Sequence, residues 1–146
     1  MHILSNMIEP AFEVILLGQS HDVRLALGCE EQLIDKLPFS VGRRLGHGER
    51  AMGRPVDLAL PDRRPYQLSR CHFAIIRGRD GLIVVDTGSR QGTIVNDVVL
   101  GQRAGVLRAH LPPGNNSIIA GGPGSPFRFT VSMRLACPPL DRASGA

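Results

Sequence analysis

The chain has 146 residues, enough for one domain that buries its own core without staples, and its 42% hydrophobic content with 17 Gly and 11 Pro suits a compact, turn-rich fold rather than a disordered one. Its cysteines, Cys29, Cys71 and Cys137, form neither a pairing framework nor a metal-ligand spacing, and an odd number argues for a reducing compartment. The net charge of +4, carried almost wholly by arginine, favours anionic partners only mildly, while the absence of any apolar run near ~20 residues and of a charged leader before an apolar core argues against a membrane span or signal peptide.

Taken in chain order, residues 1–11 read as a leader. Residues 12–17, FEVILL, read as a first strand closed by Gly18, and residues 22–27, DVRLAL, alternate polar and apolar as a half-buried second strand. Residues 28–36 are polar, with room for one short helical turn. A third strand over residues 37–41, LPFSV, carries Gly42 and Arg43 at its end. Residues 45–55, with Gly46, Gly48, Gly53 and Pro55, form a flexible loop. A short strand follows over residues 56–60, closed by Pro61-Asp62. Ser69-Arg70-Cys71-His72 then leads into residues 73–76, FAII, which have the length and β-branching of a buried strand. Residues 78–81 contain Asp80-Gly81, a two-residue hairpin signal, and residues 82–85, LIVV, make the return strand.

Residues 86–93, DTGSRQGT, form a loop whose two glycines mark tight turning or close approach to a ligand. Ile94-Val95 is a short strand ending at Asn96, residues 98–100 continue the alternation, and residues 101–105 turn. Residues 111–116, with Pro112-Pro113-Gly114, read as an irregular crossing. Residues 117–120 and 127–133 are the last two strands, and residues 135–146 lose the pattern and read as a flexible tail or linker. The domain therefore spans residues 12–134. About eleven short strands, with turns every ~6 to 12 residues and no helix of normal length, predict an all-β fold, a β-sandwich with its binding loops at one end.

Chemistry concentrates in those loops. Arginine offers a charged fork and serine a short hydroxyl, the donors that a phosphate dianion needs to satisfy several oxygens at once. Val41-Gly42-Arg43, Ser69-Arg70-Cys71-His72, Gly88-Ser89-Arg90-Gln91-Gly92-Thr93 and Ile94-Val95-Asn96, in this order with strand patterns between them, resemble the forkhead-associated (FHA) domain, a reader of phosphothreonine peptides. The resemblance runs over roughly residues 12–133. It implies that Arg43 and Ser69 are the principal phosphate contacts, that Arg70 is a secondary contact to phosphate or peptide, and that Arg90 can contact phosphate. Gln91 stands where the family usually has an asparagine that contacts the peptide backbone; one extra methylene keeps the amide but changes its reach. His72 is implied to be structural, hydrogen-bonding across the loop to hold Ser69. Gly42 is implied to permit close backbone approach, Gly92 to let the second loop turn, and Asn96 to tie the binding loops together. A second Gly-Arg pair, Gly53-Arg54, is the fallback for the phosphate arginine; Gly42-Arg43 is preferred because LPFSV precedes it.

The function implied is a phosphothreonine-peptide binding module acting as a signalling adaptor, with a phosphorylated protein as partner, a Ser/Thr kinase or its substrate. No activated nucleophile, carboxylate pair or nucleotide-type phosphate loop is present, so the expectation is no enzyme and no cofactor or metal. The alternatives are a phosphate-independent assembly domain of the same fold, as in some secretion-apparatus members of the family, and a nucleic-acid binder. Aromatic content of 4% and the lack of a basic motif speak against nucleic acid. The expected location is the cytoplasm, with no membrane partner.

Overall fold

Alternation of side chains across a pleat decides most of this chain, since residues facing one way meet a core and their neighbours meet solvent or loops. The computed structural model describes residues 12–28, 31–51 and 53–135. The expected leader and residues 136–146 of the expected tail, with Cys29 and Cys137, lie outside the described residues. In chain order the elements are β1 (Phe12–Gly18), α1 (His21–Leu27), β2 (Glu31–Ile34), β3 (Phe39–Arg43), β4 (Leu58–Leu60), β5 (Phe73–Gly78), β6 (Gly81–Asp86), β7 (Thr93–Val95), β8 (Val98–Leu100), β9 (Arg108–Leu111), β10 (Gly114–Ala120) and β11 (Arg128–Leu135).

They form two sheets, a six-stranded one ordered β2-β1-β11-β10-β7-β8 and a five-stranded one ordered β4-β3-β5-β6-β9. Every pairing is antiparallel except β3 with β4. The predicted all-β sandwich is therefore the observed architecture. Between the sheets lie Leu16, Val41, Phe73, Ile75, Val84, Ile118, Phe127, Phe129 and Val131, all buried. Phe73 of one sheet meets Phe129 of the other edge to face, with centroids 5.7 Å apart.

Four local readings need correction. Residues 22–27, expected as a strand, are helical: Val23 and Leu27 stand four apart on the core side, Asp22 lies in the first turn, and Gly28 closes the helix at φ 73 with its N–H on the carbonyls of Arg24 and Leu25. Alternation over six residues did not outweigh those end signals. Residues 31–34 are a strand rather than a helical turn, because β1 offers them an open edge, with Val14 opposite Ile34. The stretch 111–116 is not irregular: β9 ends at Leu111, and β10 begins at Gly114, where φ 96 lets the chain reverse after the two prolines.

The hairpin of β5 and β6 turns on Arg79-Asp80, with Gly81 already paired to Gly78. The turn with positive φ at both central residues is instead Asn96-Asp97, at 47° and 71°, between Val95 and its partner Val98. That matches the twist of a tight hairpin.

Candidate functional site

The site grows from the end of β3. Its backbone runs against the segment before β5: His72 donates its N–H to the Val41 carbonyl at 2.9 Å, and Arg43 donates its N–H to the Ser69 carbonyl at 2.8 Å. Gly42 lies between these bonds, and a Cβ there would run into the Arg70 carbonyl. The close approach leaves room for nothing larger than glycine.

Arg43 is 6% exposed, and the conformation of its guanidinium is fixed from several sides. Its plane sits over the Tyr66 ring, 3.9 Å from the centroid. Its Nε donates to the Leu68 carbonyl at 3.2 Å. Nη1 and Nη2 donate to Glu49 Oε1 and Oε2 at 2.7 and 2.9 Å, a two-point fork. Glu49 also accepts the Gly46 N–H, at 2.6 Å. These bonds, the Arg43 guanidinium first, pull the Glu49 carboxyl down to about 2, and the same hydrogen bond raises the Arg43 pKa further.

Ser69 and His72 are coupled. The His72 ring is fully buried; Nδ1 accepts the Ser69 N–H at 3.1 Å, so Nε2 carries the proton and donates to the Gly92 carbonyl at 2.7 Å. Burial pushes its pKa below the usual imidazole value, which keeps this neutral tautomer. One imidazole thus spans the two loops. Ser69 Oγ accepts the Arg90 N–H at 3.0 Å, which leaves its hydroxyl hydrogen able to donate outward.

The second loop is shaped by Asp86 at the end of β6. Its buried carboxylate accepts the N–H groups of Gly88 and Ser89 and the hydroxyls of Ser89 and Thr93, at 2.5 to 3.0 Å. Ser89 Oγ in turn accepts the Gly92 N–H at 2.9 Å. With Gly88 at φ 93 and Gly92 at φ 85, the loop folds back on itself and presents the Arg90 and Gln91 side chains to solvent. At the rim, Arg70 donates to the Arg50 carbonyl at 3.2 Å.

The fold thus brings Arg43, Ser69, Arg70 and Arg90 to one end of the sandwich, with Gly42, His72 and Gly92 beneath them. Arg54 is exposed and stands apart from this set of contacts. Asn96 reaches elsewhere: its amide donates to Asn116 and accepts the Ser117 N–H, both at 2.9 Å, which ties the β7–β8 turn to β10 rather than loop to loop. Three residues of the site were missed in the sequence, Glu49, Tyr66 and Asp86. Asp86 had a signal, an acidic residue directly before a loop rich in hydroxyls and N–H groups. Glu49 and Tyr66 had none, since only the folded loops bring them to Arg43. Among the described residues no cluster of His, Cys, Asp and Glu could hold a metal, and no helix is long and apolar enough to cross a membrane.

The FHA domain family model matches residues 39–114, just over half of the chain. A comparison with curated protein sequences returned no match. Among solved structures, the yeast splicing factor Pml1 superposes with a TM-score of 0.59 at 21% identity, covering 93% of this chain and 89% of that one. Mycobacterium tuberculosis EmbR, solved with a low-affinity phosphopeptide, superposes with a TM-score of 0.55 at 15% identity, over 86% of this chain and 26% of EmbR. A structure described as belonging to phosphothreonine-dependent FHA domain interactions gives 0.52 at 18% identity, over 86% of this chain and 99% of that one. At such identities the likeness speaks for the fold.

Proposed function

The chain belongs to the FHA domain family, and from that premise we propose that it is a phosphothreonine-peptide binding module acting as a signalling adaptor. The observation that carries the reading is the convergence of Arg43 and Ser69 on one small region of the loops, joined through the Arg43 N–H to the Ser69 carbonyl. Arg43 supplies a charge-assisted fork, Ser69 a hydroxyl donor, and the half-buried Arg70 and exposed Arg90 line the approach for a dianion. Gln91 stands on the loop that would meet the peptide backbone. The partner is then a phosphorylated protein, a Ser/Thr kinase or its substrate, and the protein's role is recognition rather than catalysis.

Calorimetric titration with a phosphothreonine peptide pool of degenerate flanking sequence, and with its unphosphorylated twin, tests the reading. Wild type binds the phosphorylated pool alone, Arg43→Ala abolishes that binding without unfolding, and Arg43→Lys restores it only in part because a point charge lacks the two-point geometry. Equal affinity of wild type for both pools, or an unchanged affinity in Arg43→Ala, removes the reading. One observation favours a second one: the Arg43 fork is already paired with Glu49. In a phosphate-independent docking domain that pair is purely structural, and both pools bind alike or neither binds.

A further inference from the structure

Six residues beyond Arg43, the loop after β3 returns a carboxylate to the very guanidinium that a phosphate would use. We propose that Glu49 is a specificity-determining residue of this site, an internal competitor that holds the Arg43 fork until a phosphorylated side chain displaces it. This rests on the phosphopeptide reading above.

The geometry supports the role from both sides. On the arginine side, both terminal nitrogens are engaged, at 2.7 and 2.9 Å, in the parallel two-bond arrangement that suits carboxylate and phosphate alike. The side chain is 7% exposed and pressed onto Tyr66. A charge so placed cannot be left without a partner, so an anion must sit on it in the free protein. On the glutamate side, the carboxylate accepts the Gly46 N–H while the Glu49 N–H donates back to the Gly46 carbonyl at 3.0 Å. The competitor is held in its own tight turn and arrives oriented.

It is also weakly anchored beyond that turn. The Glu49 side chain is 30% exposed, against 7% for its partner, so solvent reaches it and can take it over when it leaves. A phosphate group brings about −1.5 to −2 charges at neutral pH against the single charge of a carboxylate. It also brings oxygens enough for Ser69 and the rim arginines, to which Glu49 makes no hydrogen bond among the described contacts. Exchange at the fork gives Arg43 one anion for another, whereas Ser69 and Arg90 gain a partner that Glu49 does not supply. An anion that reaches only the fork gains nothing by replacing Glu49, whereas one that also engages Ser69 and Arg90 gains those contacts, and that difference is the selectivity the competitor imposes.

The test uses the phosphothreonine pool and its unphosphorylated twin against wild type, Glu49→Gln, Glu49→Ala and the double variant Arg43→Ala/Glu49→Gln. Removing the competitor's charge is expected to tighten binding of the phosphorylated pool about tenfold or more in both single variants, about the effect of a typical coupling between two sites, and the double variant is expected to show no such gain. Unchanged or weaker binding in the single variants, with wild type still discriminating the two pools, overturns the competitor role and leaves the phosphopeptide reading standing. No phosphate-dependent binding by any variant overturns both. Should the substitutions unfold the loop, wild type itself answers through the carboxyl carbon resonance of Glu49 at neutral pH. Its movement to the position of a free glutamate on saturation with the pool supports displacement, and an unmoved resonance in the bound state refutes it.

Discussion

At the scale of single residues, the His72 imidazole carries the greatest structural consequence for the fewest atoms. Its removal leaves the Ser69 N–H without its acceptor, whereas the Gly92 carbonyl still accepts the Gly121 N–H at 2.8 Å. His72→Ala is expected to lower stability by about 1 to 3 kcal/mol, the penalty for a buried group left unpaired. Urea melts of wild type and variant check this; identical midpoints would refute the bridging role. The same ring sets a pH dependence. Its folded pKa lies below the usual value, so the unfolded chain takes up the proton first as the solution is acidified. Stability contributed by the neutral ring is complete above about pH 6.5 and declines below it, with a slope of at most ~1.4 kcal/mol per pH unit, until the folded-state value is reached. Melts between pH 7.5 and 5 are expected to fall more steeply for wild type than for His72→Gln. Glu49 acts in a lower window: its ion pair stabilises above the usual carboxyl range and is lost between there and about 2. The role of His72 was legible from the order Ser-x-x-His before a buried strand, with the family resemblance behind it. The Glu49 contact was not, because a pairing made across a glycine-rich loop leaves no periodicity to read.

At the scale of elements, two junctions can be tested. Gly42→Ala forces β3 away from the Ser69–His72 segment, since the added methyl group meets main chain that cannot rotate aside. The expected loss is about 1 to 3 kcal/mol, typical of overpacking, and it should be accompanied by weaker phosphopeptide binding because Arg43 follows directly. A variant that melts and binds as wild type would remove the close-approach argument. At the other hairpin, Asp97→Gly is expected to raise stability by up to about 1 kcal/mol, since the second central residue at φ 71 then carries no side-chain strain; a lower thermal midpoint counts against it. The strands with an apolar run bounded by turn signals, β5 and β6, and the alternating β11 were readable to within two residues. The failures were α1, where a six-residue pattern fits either period, β2, four residues inside a polar stretch, and the start of β10, where paired prolines suggested irregularity. A capping residue decided α1, a neighbour's open edge decided β2, and the positive φ of Gly114 decided the start of β10.

At the scale of the whole molecule, the fold closes through its ends. β1 is an interior strand of the six-stranded sheet, between β2 and β11, and pairs with β11 from Phe12 opposite Leu135 to Gly18 opposite Phe129. The span recognised by the family model, residues 39–114, therefore lacks β1, β2, β11 and nearly all of β10. It also lacks Leu16, Ile118, Phe129 and Val131 from the core. That fragment alone is expected not to fold cooperatively; dispersed amide resonances or a sharp melt from it would contradict the account. The sandwich class was legible because turn signals and short apolar runs alternate along the chain. The strand order was not, because pairings between the two ends are set by three-dimensional closure and not by any local pattern.

Tyr66, the sole tyrosine in a chain without tryptophan, lies directly under the Arg43 guanidinium. The ultraviolet emission of the protein therefore comes almost entirely from one ring at the heart of the recognition loops. Any event that shifts the cation above it, whether departure of Glu49 or arrival of an anion, alters the quenching of that single emitter. The molecule carries its own label-free optical reporter, placed where recognition happens and undiluted by signal from elsewhere in the chain.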